Sequence, residues 1–106
     1  MHLPELLQSR RQAIISLCRA RGVRRLDVFG SAIREDFDAE SSDLDLIVDF
    51  EPAATGGLLA QYFDFKSELE TLLQRPVDLV EFQALPDSRL KRLIATRKVL
   101  IYEATP

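Results

Sequence analysis

The chain has few of the features that mark special environments. It contains one cysteine, Cys18, which excludes an internal disulfide and fits a reducing, cytoplasmic setting. Its only histidine, His2, lies near the terminus and is assigned no role. No apolar run approaches the roughly 20 residues of a membrane-spanning helix, and no signal peptide is visible, so no membrane association is expected. There is no internal repeat, no low-complexity segment and no linker long enough to divide the 106 residues; one domain over 1–106 is expected. A large charge excess is also missing. A net charge of −3 argues against direct nucleic-acid binding through bulk charge, although Arg19, Arg21, Arg24 and Arg25, and Lys91, Arg92, Arg97 and Lys98, form local basic clusters.

What is present is ordinary globular material, 46% hydrophobic and 29% charged. A chain of this size buries roughly 65% of its unfolded surface, enough for one core.

The apolar spacing predicts a helix over residues 4–21. Pro4 suits its first turn, Leu7, Ile14 and Cys18 share its inner face with Leu6, Ala13 and Leu17 beside them, and Gly22 ends it. Cys18 on that face reads as a small buried hydrophobe. A strand over 24–29 follows, then a short helix from Ser31 to Asp36, a polar loop, and a second strand over 43–50. Pro52, Gly56 and Gly57 mark a loop. Residues 58–74 step by four and three through Leu58, Tyr62, Phe65, Leu69 and Leu72, with Phe63 and Leu73 widening the stripe, which predicts a long core helix stopped by Pro76. That stripe could also face a partner. Val77–Phe82 reads as a third strand. A helix from the N-cap candidate Asp87 to Arg97 has Leu90, Leu93 and Ile94 inward, and Val99–Tyr102 reads as a last strand. This order supports a two-layer α/β domain in which helices cover a small sheet.

The chemistry concentrates between Phe29 and Phe50. Side chains alternate across a strand, so Asp43 and Asp45 share a face opposite Leu44, Leu46, Val48 and Phe50. Two adjacent carboxylates repel unless a cation sits between them. Hard oxygen donors favour Mg²⁺, which commonly takes one or two carboxylates plus substrate phosphates. Gly30-Ser31 supplies the complementary half: close backbone approach, a hydroxyl and an N–H at an expected helix start. A calcium loop is excluded because Ile47 stands where a third oxygen ligand is needed and no glycine follows. A haloacid-dehalogenase arrangement is excluded because its paired aspartates follow a hydrophobic strand, whereas these precede one. Asp78, within Val77-Asp78-Leu79-Val80, is either an edge residue facing solvent or a third carboxylate of the same site. Asp49 shares the parity of Asp45 but lies further along and reads as a surface residue. Asp36, Asp38 and Glu40 read as a solvated loop.

Gly30-Ser31, Arg34, Ser42-Asp43-Leu44-Asp45-Leu46 and Val77-Asp78-Leu79-Val80 together resemble the signature of the minimal nucleotidyltransferases, small relatives of DNA polymerase beta. The resemblance covers nearly the whole chain. It implies an α/β (α+β) polymerase-beta-like fold, a small mixed sheet covered by helices with the metal carboxylates on adjacent strands. It implies Asp43, Asp45 and Asp78 as catalytic metal ligands for two Mg²⁺ ions, with Asp78 also accepting a proton. Gly30, Ser31 and Arg34 would bind the nucleotide, Arg34 by neutralising phosphate, with a solvated surface arginine as the alternative. Where the family often has Ala-Arg-Gly, this chain has Ile33-Arg34-Glu35, which alters the loop but removes no metal ligand. The implied activity is transfer of AMP from ATP to a hydroxyl, with release of pyrophosphate. The implied partner is a HEPN ribonuclease toxin, bound in a hetero-oligomer and modified on a tyrosine, with this chain as its antitoxin. A non-catalytic binding antitoxin and nucleotidyl transfer to a small molecule are the alternatives.

Overall fold

The computed structural model describes residues 5–29, 44–51 and 58–104. In chain order its elements are α1 (Glu5–Ser9), α2 (Arg11–Ala20), β1 (Val23–Phe29), β2 (Leu44–Phe50), α3 (Leu58–Leu73), β3 (Val77–Glu81), a 3-10 turn (Phe82–Ala84), α4 (Arg89–Arg97) and β4 (Val99–Glu103). The four strands form one mixed sheet in the order β3-β2-β1-β4. β1 is antiparallel to both neighbours, while β2 and β3 run parallel, as two strands joined through a helix must when they lie side by side. The mixed α/β architecture read from the sequence is therefore the observed one.

The even residues of β2 (Leu44, Leu46, Val48, Phe50) are buried on one face, with Leu26 and Val28 of β1, Val77 and Leu79 of β3 and Ile101 of β4. Leu7, Ile14 and Cys18 from the first two helices and Phe65, Leu69 and Leu73 from α3 close over them. Phe65 meets Phe50 edge to face, with centroids 5.9 Å apart.

Several expectations need correction. The N-terminal helix is broken at Arg10 (φ −107°, ψ 8°), where the Ser9 hydroxyl donates to the Leu6 carbonyl; such back-bonding bends helices. Ala13 is exposed rather than packed beside Ile14. Phe63 is 54% exposed, because it stands about 200° around the helix from Phe65 and cannot widen the same stripe. Leu93 is 41% exposed while Ile94 is buried, since a nine-residue helix presents only one narrow face. The N-cap of α4 is Ser88, whose Oγ accepts from the Lys91 N–H at 3.2 Å, so Asp87 stands one residue outside. Phe82 belongs to the 3-10 turn, not to β3. The expected helix at Ser31–Asp36, the polar loop after it and the loop at 52–57 lie outside the described residues, as do the side chains of Leu58 and Leu90.

Helix ends use left-handed residues. Gly22 (φ 69°) follows α2 as expected, and a Cβ there would come within 3.0 Å of Gln61 Nε2, which donates to the Arg21 carbonyl. α3 ends at Leu73, before Pro76, with Gln74 at φ 55° and the Arg75 N–H bonded to the Glu70 carbonyl.

Candidate active site

The face of the sheet opposite the helical core carries the polar residues. On β2 these are Asp45 and Asp49, with the buried Ile47 between them. Asp45 and Asp78 are register partners in the parallel β2–β3 ladder, so they stand side by side on this face, with backbones about 4.8 Å apart. Asp45 is half-buried and Asp78 is exposed. Parity places them: each sits one residue along from an inward leucine or valine, so burying the apolar set turns both carboxylates outward.

On its other side Asp45 pairs with Phe29, the last residue of β1. Leu44, which opens β2, pairs with Val77. The end of β1 and the starts of β2 and β3 thus converge where Asp45 and Asp78 lie. Gly30 follows Phe29 and Asp43 precedes Leu44 in the chain, but Gly30, Ser31, Arg34 and Asp43 all lie outside the described residues. Of the six residues selected from sequence, the structure brings together two. Among the described residues no group of three or more His, Cys, Asp or Glu side chains is arranged to hold a metal. The Asp45–Asp78 pair does suit Mg²⁺: two hard oxygen donors on one face are the number it ordinarily takes from protein when phosphates complete its shell. Ile47 and its ladder neighbour Val80 place apolar side chains beyond the pair, between it and Asp49.

Sequence reasoning passed over Asp27. Among the described residues it is the one buried charged side chain, 1% exposed, on the same face and paired in register with Ile47. The Arg25 guanidinium holds it in a two-pronged contact, Nε to Oδ2 at 2.9 Å and Nη2 to Oδ1 at 3.1 Å. Lys98 Nζ approaches Oδ2 at 3.6 Å, and Arg25 also reaches Glu103 at 3.1 Å. Donating these hydrogen bonds to the Asp27 carboxylate raises the Arg25 pKa above its ordinary value. Lys98 and Lys91 lie 4.5 and 5.0 Å from the centroid of the Phe82 ring. A space of about 150 Å³ opens beside this cluster, lined in part by Arg25, Asp27, Ile47 and Phe82. The cluster ties β1 to β4 and to the 3-10 turn. The readable signal was Arg25 and Asp27 at strand spacing i, i+2, opposite charges on one face. Asp49, read as a surface residue, is half-buried and paired with Arg24 at 3.0 Å.

Comparison with known proteins gives the following. A family model described as polymerase beta, nucleotidyltransferase matches residues 12–106. The protein adenylyltransferase MntA of Thermococcus cleftensis is 37% identical over 73 residues, 69% of this chain and 70% of that one. A solved structure provisionally designated a minimal nucleotidyltransferase is 39% identical, with a TM-score of 0.74 over 90% of this chain and 92% of the other. The MNT antitoxin complexed with a tri-AMPylated HEPN toxin of Shewanella oneidensis shares the fold, with a TM-score of 0.62 at 22% identity over 92% of this chain and 72% of the other. No helix among the described residues is long and apolar enough to cross a membrane.

Proposed function

Because the chain belongs to the polymerase beta nucleotidyltransferase family, we propose that it transfers AMP from ATP to a hydroxyl, a tyrosine of a HEPN ribonuclease toxin, and so acts as that toxin's antitoxin. The observation that carries this reading is the register of Asp45 against Asp78 on adjacent parallel strands, beside the end of β1. Two carboxylates at ladder spacing repel one another, a cost that a bound cation offsets.

In this reading Asp43, Asp45 and Asp78 hold Mg²⁺. When bound, the ion supplies charge stabilisation to the reacting phosphate and to the leaving pyrophosphate. Asp78, the exposed member of the pair, accepts the proton from the attacking hydroxyl. The acceptor oxygen forms a bond to the α-phosphorus as the α–β bridging bond breaks, and pyrophosphate leaves in line. Gly30 and Ser31 take the triphosphate by backbone approach and hydroxyl, and Arg34 offsets its charge.

The test is the intact mass of a HEPN-family protein after incubation with this protein, ATP and Mg²⁺. A gain of whole AMP units is expected. It should fall at least about 100-fold in rate with Asp45→Asn or Asp78→Asn, as loss of a charge-stabilising group at a reacting phosphate ordinarily does. No mass gain, with a stable complex and lost toxicity, would leave a binding antitoxin. A gain on an aminoglycoside instead of the protein would assign the small-molecule reaction.

A further inference from the structure

α4 and the residues around it are basic in a chain that is acidic overall. Arg89, Lys91, Arg92, Arg97 and Lys98 fall between Ser88 and Tyr102 with no Asp or Glu among them, against a net charge of −3 for the whole. The five cations divide by helix face. Lys91 and Lys98 turn inward over Phe82, and Lys98 continues to Asp27. Arg89, Arg92 and Arg97 are exposed, on the arc that also carries Leu93 and Thr96. None of these three arginines has a carboxylate within 4.0 Å among the described residues, whereas Arg21, Arg24 and Arg25 are each ion-paired. Leu100, 37% exposed, follows on β4, the edge strand.

An isolated surface helix relieves this charge with acids at i, i+4. Here none is provided, so the three guanidinium groups, screened by water and counterions alone, are left free to pair with an anionic surface from outside. Arginines bordering two exposed leucines match the composition of a protein interface, where arginine is enriched and the centre is apolar. A phosphate backbone would leave Leu93 and Leu100 without contacts, and an acidic chain is a poor electrostatic partner for nucleic acid.

The position of this face matters as much as its charge. α4 leads into Val99, which pairs with Val28, and the next residue of β1, Phe29, pairs with Asp45. β4 and β2 are separated only by β1, a distance of about 10 Å. Through Lys98 and Asp27 the helix is fastened to the same sheet face that carries Asp45 and Asp78. A macromolecule lying along the outer arc of α4 therefore reaches the site at the C-terminal end of the helix.

We propose that Arg89, Arg92, Leu93 and Arg97 of α4, with Leu100 of β4, form the docking surface for the protein acceptor, which meets them with an acidic patch around an apolar centre. This rests on the reading that the acceptor is a protein.

The experiment uses the full chain with Arg89, Arg92 and Arg97 all changed to Glu, a second variant with all three changed to Lys, and as probe the HEPN-family protein used in the adenylylation test. Calorimetry gives Kd, kinetics give KM for the HEPN protein and for ATP separately, and thermal melting checks folding. The Glu variant should bind the HEPN protein at least about tenfold more weakly and raise its KM alike, while KM for ATP stays within about twofold. The Lys variant should retain binding, because charge rather than guanidinium geometry carries most of the attraction. Unchanged Kd in the Glu variant overturns the docking surface while leaving adenylyl transfer intact. Binding lost in the Glu variant without any transfer by the wild type upholds the surface and removes the transfer reading. A wild type that does not bind the HEPN protein removes both. A short fluorescein-labelled RNA, bound by the wild type and lost by the Glu variant while HEPN binding is unchanged, reassigns the face to nucleic acid and overturns the proposal.

Discussion

Asp27 shows how much one residue can hold in place. Its carboxylate is buried, and Arg25 of the same strand and Lys98 at the C-cap of α4 converge on it. Removing one member of a buried pair leaves the others desolvated and uncompensated. Because Arg25 is partly exposed, water screens part of that loss. Asp27→Ala should therefore destabilise the fold by about 2–3 kcal/mol, read as a lower urea midpoint at constant slope. Cys18 behaves in the opposite sense, as an inert group. Burial pushes its thiol from an ordinary 9.0 up to about 12. In the folded state it stays protonated at pH values where the unfolded chain ionises. Its contribution to stability is thus full below pH 9 and declines as pH rises from 9 toward 12. Thiol-specific reagents at pH 8 should label Cys18 only in denaturant, and Cys18→Ala should show a shallower loss of stability above pH 9 than the wild type. Equal slopes for the two proteins would remove the burial account.

Among the elements, α2 and α3 end by the same device with different residues. Gly22 takes its left-handed conformation at no steric cost, whereas Gln74 takes one that L side chains resist. Gln74→Gly should stabilise the protein by about 0.5–1 kcal/mol, the relief of strain exceeding the added chain entropy, as a higher thermal midpoint would record. The sheet edges are also unlike. On β3 the Val77 N–H donates to Glu70 Oε2 at 2.9 Å and the Leu79 carbonyl accepts from the Tyr62 hydroxyl, so α3 occupies two groups of that edge. This blunts β3 against stray strand pairing and positions the strand that carries Asp78. Tyr62, expected as part of an apolar stripe, uses both its ring and its hydroxyl.

Across the whole molecule, α1, α2 and α3 cover one face of the sheet, while the other carries the polar residues, with α4 fastened to it through Lys98 and Asp27. If nucleotide binds there, Mg²⁺-ATP stabilises the native state alone. At about 100 times Kd this amounts to about 2.7 kcal/mol, which raises the thermal midpoint of a domain this size by roughly 10 °C or more. The Asp45→Asn/Asp78→Asn protein should show little of that rise. An equal rise in both would place nucleotide elsewhere. Docking of the acceptor along α4 belongs to this scale too, since it depends on which helix faces and which strand ends meet at one end of the sheet.

Helix and strand identity, the inward leucines and valines of the strands, and the placement of Asp45 opposite Leu44 and Leu46 were legible in the residues because periods of 3.6 and 2 are local geometry. So was Gly22, because the left-handed position ending a helix favours glycine. Tertiary structure decided the rest. Asp45 and Asp78 lie 33 positions apart in the chain, and only the parallel β2–β3 ladder makes them neighbours. Asp27 and Lys98 meet because β4 pairs with β1, a pairing no local period encodes. Phe63 and Leu93 fit an apolar spacing yet face outward, since the width of a buried stripe is set by what packs against it. Local sequence specifies which way a side chain points relative to its own backbone; which partner waits there depends on long-range pairing, whose loop-closure cost and register are settled only when the whole core closes.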